Sequence, residues 1–337
     1  MGTYSIKDLE QLSGIKAHTL RVWEQRYGII QPSRTPTKIR YYDDEDLRLV
    51  LNISFLNRNG HKISKIAKMD NDEIQNTVMR ISDSNLEFPN QVNALVIAMV
   101  NLDEERFEKI ISTNTLQFGF ENTMLNIIYP FLERIGILWQ TGSINPAHEH
   151  FISNLIRQKL IVAIDGQIRS QNPEANKYLL FLPEGEQHEL SLLFSAYIIK
   201  SRHNKVIYLG TSLPLKDISL VNDLYNPDYI VTIITSYPAS EDLKAYLTEL
   251  QNQCEGKHVL VSGYQALQCK DDIDMEGVTI FDKIEEMIDF VEHNSQLPFN
   301  YRERVSNTRM LNGNYNGSRI SQNGSPISQR KSGSGSQ

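Results

Sequence analysis

The chain has 337 residues, 40% of them hydrophobic, and its 34 Lys/Arg against 41 Asp/Glu give a formal net charge of -7. That length builds two or three cores rather than one, and the acidic balance excludes a surface made for polyanions along the whole chain. Two cysteines, Cys254 and Cys269, are too few and too separated for a disulfide framework or a zinc cluster. With no charged-then-apolar leader and no apolar run near the ~20 residues that span a bilayer, a reducing cytoplasm is expected rather than secretion or a membrane.

Residues 1–68 depart from this average, with twelve Lys/Arg against seven Asp/Glu, so this end is expected to meet a different partner. Ser5-Ile6-Lys7-Asp8 has capping-box spacing, Leu9 and Leu12 give an apolar face, and Gly14 supplies a turn. In "KAHTLRVWEQRYG" Leu20, Trp23 and Tyr27 share one face, leaving His18, Thr19, Arg21 and Arg26 on others, and Gly28 ends the helix. Two helices joined by a short glycine turn make a helix-turn-helix. "IIQPSRTPTKIRYYDDEDL" then reads as two short strands around a Pro-rich wing with Arg34, Lys38 and Arg40. Of the pair Tyr41 and Tyr42, one is expected to pack and one to face phosphate, and Tyr42 is taken as the outward one. Leu47, Val50, Leu51, Phe55 and Leu56 recur at helical spacing and close a small core.

"YSIKDLEQLSGIKAHTLRVWEQRYGI" and "IRYYDDEDLRLV" resemble the MerR family of winged-helix transcription regulators over about residues 3–69. The resemblance implies a recognition helix in the major groove and a wing on the sugar-phosphate backbone. It sets His18, Thr19, Arg21, Arg26, Arg34, Lys38, Arg40 and Tyr42 against a double-stranded operator. This domain is assigned to 1–70.

Residues 71–88 include a possible helix and then Ser/Asn-rich sequence, and are assigned as a linker. Over 89–171 four apolar stripes predict a four-helix bundle: Val92 to Met99, Phe107 to Ile111, Leu125 to Ile135, and Phe151 to Ile164. Over 176–293 the runs "YLLFLP", "KVIYLG", "YIVTII", "HVLVSG" and "VTIF" alternate with helical stretches, which predicts a doubly wound parallel sheet of Rossmann-like type. No Gly-x-Gly-x-x-Gly follows its first strand, so the dinucleotide fingerprint is missing. Residues 294–337 are Gly/Ser/Asn-rich and read as a disordered, solubilising tail. The fold class is therefore multidomain α and α/β.

Ligands of open α/β sheets sit beyond the carboxyl ends of the strands. There the loop "PEGEQHELS" places Glu186 two residues before His188, a spacing in which the carboxylate could orient the imidazole as a ligand. A surface or capping histidine is the plainer alternative.

A helical bundle followed by this sheet resembles the cobalamin-binding module shared by methionine synthase and light-responsive regulators of the CarH and LitR type, over about residues 90–293. In that family an Asp/Glu-x-His-x-x-Gly loop supplies the lower cobalt ligand; Glu186, His188 and Ser191 occupy those positions, with Ser191 in place of glycine. The resemblance implies that His188 ligates the cobalt. Thr232-Ile233-Ile234 matches a Ser-x-Leu strand end and Ser262-Gly263-Tyr264 a Gly-Gly pair, which puts Thr232, Ile234, Gly263 and Tyr264 beside the nucleotide tail. In "WQTGSINPAHEH" the family's Trp, nine residues, Glu-His spacing falls on Trp139, Glu149 and His150, expected over the upper face of the corrin. Gln140 stands where members that form a bis-histidine photoproduct carry histidine. A zinc site of His148, Glu149 and His150 is the poorer reading, because adjacent residues at a helix start point in different directions.

The resemblance implies a non-enzymatic repressor that senses adenosylcobalamin, and light, through its state of homo-oligomerisation. Two rivals stand beside it: a cofactor-free sensor controlled by a protein antagonist, and a cobalamin-dependent methyltransferase or mutase, for which no additional catalytic domain is visible.

Overall fold

The computed structural model describes residues 3–35, 39–84, 87–140, 144–168 and 170–295, with the side chains of Met79, Ile137, Trp139, Gln140 and 82–84 outside that description. Lys38 and the tail assigned to 294–337 lie outside it, apart from Asn294 and Ser295. The chain divides into two compact units: the residues up to Gln167 with His188–Ile198, and Ile168–Gln187 with the residues from Ile199.

The first unit is helical apart from one ribbon. Helix α1 (Ile6–Ser13) starts on a true capping box, Ser5 N donating to Asp8 Oδ2 at 2.6 Å while Asp8 N donates to Ser5 Oγ. It stops at Gly14, whose φ of 71° is open to glycine at no steric cost. Helix α2 (Ala17–Tyr27) follows, and Leu20 and Trp23 are buried as its spacing requires. Strands β1 (Ser33–Arg34) and β2 (Arg40–Tyr41) pair antiparallel, and α3 (Asp44–Arg58) begins on a second capping box, Asp43 with Asp46. After the short α4 (Ile63–Ile66), α5 (Asn71–Ser84) fills most of the span assigned as a linker. That assignment is corrected: Ile74 and Val78, one turn apart, are buried, which stabilises the helix.

The bundle comprises α6 (Phe88–Asn101), α7 (Glu104–Phe118), the short α8 (Phe120–Thr123), a π turn at Met124–Ile128, α9 (Tyr129–Gln140) and α10 (Pro146–Asp165). Helix α6 is its centre, with every residue from Asn90 to Val100 buried. The start of α11 (Leu190–Ser201) belongs to this unit: Phe194 lies 5.5 Å from Tyr129 and Tyr197 4.9 Å from Phe120, ring centre to ring centre.

The second unit is a five-stranded, wholly parallel sheet of β3 (Lys177–Pro183), β4 (Lys205–Leu213), β5 (Tyr229–Ile233), β6 (His258–Ser262) and β7 (Val278–Ile280). Its order is β4-β3-β5-β6-β7, with α12 (Leu215–Tyr225), α13 (Ser240–Gln253), α14 (Tyr264–Gln268) and α15 (Ile284–Asn294) in the connections and at the end. Strand β3 is buried from Tyr178 to Pro183, as a central strand covered on both faces must be. Because the next strands in sequence pair on its two sides, β3 lies where the strand order reverses, the place at which such folds bind ligands. Among the described residues no helix is long and apolar enough to cross a membrane.

Candidate functional site

On the helix-turn-helix, His18, Arg21 and Arg26 of α2 are exposed and Thr19 is half-buried, its hydroxyl 3.3 Å from His18 Nε2. Arg34 is exposed on β1. Arg40 is half-buried: its Nε donates to Glu24 Oε2 at 3.2 Å and Oε1 at 3.3 Å, tying the wing strand to α2. Tyr42 is corrected from outward to inward. It is 2% exposed and exchanges both backbone hydrogen bonds with Tyr4, while Tyr41 is half-buried. Sequence reasoning passed over Val22, 49% exposed, and Gln25, also exposed. They fall on the His18 and Arg21 side at i+3 and i+4 spacing, a signal that was available.

In α10, Asn145 caps the helix by accepting from Ala147 N at 2.9 Å, and Pro146 occupies the first turn. His150 is exposed, and its Nδ1 lies 3.3 Å from Oε2 of half-buried Glu149. These neighbours therefore do meet, contrary to the divergence expected of them. His148 is turned elsewhere: half-buried, its Nδ1 has no hydrogen-bond partner among the described residues, and burial holds its pKa below the usual 6.5 against the opposing pull of Asp44. Among the described residues no group of three or more His, Cys, Asp or Glu could hold a metal. Trp139 and Gln140 lie in the last turn of α9.

Glu186 is fully buried. Its Oε2 accepts from the backbone N–H groups of Thr235, Ser236 and Tyr237 at 2.9, 2.6 and 3.2 Å, and its Oε1 from Gln187 N at 2.9 Å. The carboxylate thus pins the loop after β3 to the turn after β5. His188 follows, exposed. In the helical unit Glu189 is bound by Arg157 of α10, Nε to Oε2 at 2.6 Å. Ser191 is half-buried in the first turn of α11, and its carbonyl accepts from Ser195 Oγ.

A cavity of about 480 Å³ opens at the carboxyl end of the sheet, lined by Glu184, Gly185, Leu213, Leu215, Tyr237 and Tyr246. The polar groups of this unit that are buried without a hydrogen-bond partner among the described residues include the Tyr246 hydroxyl and Thr232 Oγ1. Burial raises the Tyr246 pKa, so it stays a neutral donor. Unsatisfied buried hydroxyls are costly, and a ligand that supplies partners removes the cost. Ile234 is fully buried in the apolar cluster with Leu243, Leu247 and Ala266. Gly263 is glycine for an internal reason: at φ 111°, a Cβ would lie 2.6 Å from Ile234 C and 2.7 Å from its N. Tyr264, the departure from the Gly-Gly pair, is 60% exposed and so does not fill the interior.

Residues 4–73 match the MerR HTH family regulatory protein model, and residues 91–163 match the B12 binding domain. The chain thus has the build of a DNA-binding regulator with a cobalamin-binding sensor. It is homologous to two repressors of Myxococcus xanthus. The HTH-type transcriptional repressor CarH is 24% identical over 78% of this chain and 90% of its own length. The HTH-type transcriptional repressor CarA is 24% identical over 85% and 95%. Among solved structures, the monomethylamine corrinoid protein of Methanosarcina barkeri aligns at 10% identity with a TM-score of 0.47, over 58% of this chain and 94% of that one.

Proposed function

We propose that this protein is a cytoplasmic transcription repressor whose hold on its operator is set by adenosylcobalamin, and by light, through a change in homo-oligomeric state. The observation that carries the reading is His188: an exposed imidazole in a loop whose preceding carboxylate is locked by four backbone donors and whose following carboxylate is held by Arg157. Such anchoring fixes an imidazole for ligation without burying it. Thr232 Oγ1, buried and without a hydrogen-bond partner among the described residues, suits a polar atom of the nucleotide tail.

Bound adenosylcobalamin supplies a cobalt–carbon bond that light breaks. His188 would hold the cobalt, and Trp139, Glu149 and His150 would contact the adenosyl group. Glu189 and Arg157 keep the His188 loop in register with α10, the helix that carries Glu149 and His150. On DNA, α2 would present His18, Arg21, Val22 and Gln25 to base edges while Arg34 and Tyr41 meet phosphates. Several tethered winged domains in one oligomer engage several half-sites at high effective concentration, so loss of the oligomer lowers affinity.

The test is absorption spectroscopy and size-exclusion chromatography of the protein with adenosylcobalamin, in darkness and after green illumination. The expected results are a histidine-ligated spectrum in the dark that His188→Ala removes, and a change of elution volume on illumination. Gln140 offers no imidazole to trap the photoproduct, so fresh cofactor in the dark should restore the dark profile. An unaltered spectrum in His188→Ala overturns the ligand, an unaltered elution overturns light control, and absence of binding favours the protein-antagonist alternative.

A further inference from the structure

Within the helical unit, the helix-turn-helix is joined to the bundle by two guanidinium groups that share one acceptor. Arg134 of α9 donates through Nη1 to Asn93 Oδ1 of α6 at 2.6 Å and through Nη2 to the carbonyl of Leu12. Arg58, the last residue of α3, donates through Nη1 to the same Asn93 oxygen at 3.4 Å and through Nη2 to the carbonyl of Ser13 at 3.0 Å. Leu12 and Ser13 are the final residues of α1, so both cations sit on the negative end of that helix. Asn59 Nδ2 adds a bond to Asn90 Oδ1 at 3.3 Å.

The chemistry of this joint is unusual for a structural clamp. Its acceptors are neutral oxygens, and the two cations face each other. Burial first, and then the charge of Arg58, pull the Arg134 pKa down to about 10, so it remains charged at neutral pH but is held at a cost. A joint of this kind depends on direction rather than on apolar area, and hydrogen bonds weaken steeply when donors are displaced or tilted. A modest shift of α9 therefore loosens α1, whereas a greasy interface would absorb it.

The C-terminal end of α9 is where the sensor reading places Trp139, five residues and about 7.5 Å along the axis from mid-helix Arg134. A continuous helix over that distance moves as a rigid body. We infer that Arg134 is a positioning residue that couples the sensor to DNA recognition: occupancy at the Trp139 end of α9 sets how firmly Arg134 holds the last carbonyls of α1, and with them the helix pair that presents α2. This rests on the proposed cobalamin reading and adds the route within one subunit by which it reaches DNA.

The experiment uses the full chain, a duplex selected by the wild-type protein from a random library, and adenosylcobalamin in darkness. Fluorescence anisotropy gives the ratio of DNA affinities with and without the cofactor. Hydrogen exchange of the amides at the turn after α1 gives the state of the joint. For wild type the ratio should be on the order of 5-fold or more, with slower exchange in the cofactor complex. In Arg134→Met the ratio should collapse towards one while cofactor affinity stays within about 2-fold, since Arg134 is not a cofactor contact; at that size a residual change falls below typical allosteric coupling. Arg134→Lys should recover part of the ratio, because one donor of the fork is replaced. Asn93→Ala, which removes only the shared acceptor, provides a second route to the same loss if Arg134→Met fails to fold. Cobalamin binding with an undiminished ratio in the folded variants overturns this inference alone. Failure of the wild type to bind cobalamin overturns the sensor reading and the inference with it.

Discussion

Glu186 offers a quantitative check on how the His188 loop is held. Replacing it with Ala leaves four backbone N–H groups without their acceptor: those of Gln187, Thr235, Ser236 and Tyr237. A buried orphan donor costs about 1–3 kcal/mol. Gln187, Ser236 and Tyr237 are exposed residues, however, so water can reach those amides and only half-buried Thr235 approaches the full penalty. Glu186→Ala should therefore cost about 3 kcal/mol, below the roughly 4–12 kcal/mol of four full penalties. In Glu186→Gln the amide oxygen can still accept from the three donors now on Oε2, but its NH₂ then opposes Gln187 N–H. One bond and the charge assistance are lost, a cost of about 1.5 kcal/mol. Urea unfolding with an unchanged denaturant slope measures both, and exchange of the Thr235, Ser236 and Tyr237 amides localises the effect. If both variants stay within about 0.5 kcal/mol of wild type, the size expected of a neutral surface substitution, or if Gln costs as much as Ala, the four-donor account of this loop is wrong.

Gly263→Ala should lower stability by more than about 2 kcal/mol, since both the positive φ and the approach to Ile234 are backbone constraints that no rotamer relieves; a thermal midpoint equal to wild type would contradict this. Arg34→Ala should weaken DNA binding and flatten its salt slope by about one, whereas Glu24→Gln should leave the fold intact but free Arg40 to contribute to the slope; anisotropy titrations across salt decide both. His148 carries a pH signature. Its folded pKa lies below its ordinary 6.5, so the unfolded chain binds the extra proton, and stability falls as pH drops from 6.5 towards the folded value. His148→Asn should flatten that limb of the stability profile, and a limb of unchanged slope would remove His148 as its source.

The sequence by itself determined the order of elements, because that order is written in local periodicity. One capping box, glycine stops, four helical stripes and five apolar runs in a β–α alternation specify helix, wing, bundle and sheet without reference to distant residues. Trp23 was legible as core from its spacing with Leu20. What needed the tertiary structure were choices between residues of equal local merit. Tyr41 and Tyr42 differ only by one position, and which of them turns inward is decided by Tyr4, 38 residues away from Tyr42, pairing with its backbone. Span 71–88 looked like a linker because Ser/Asn-rich sequence follows its possible helix, and burial of Ile74 and Val78 anchors that helix over Asn71–Ser84. Glu186 read as a partner for the histidine two residues on, yet four of its bonds go to backbone, three of them around fifty residues further along. The Arg134, Asn93 and Leu12 joint spans 122 residues between its ends. Local pattern reports how a segment buries its own face, while partners for buried charge are supplied by whichever distant backbone the packing brings near, and that is information only the folded chain contains.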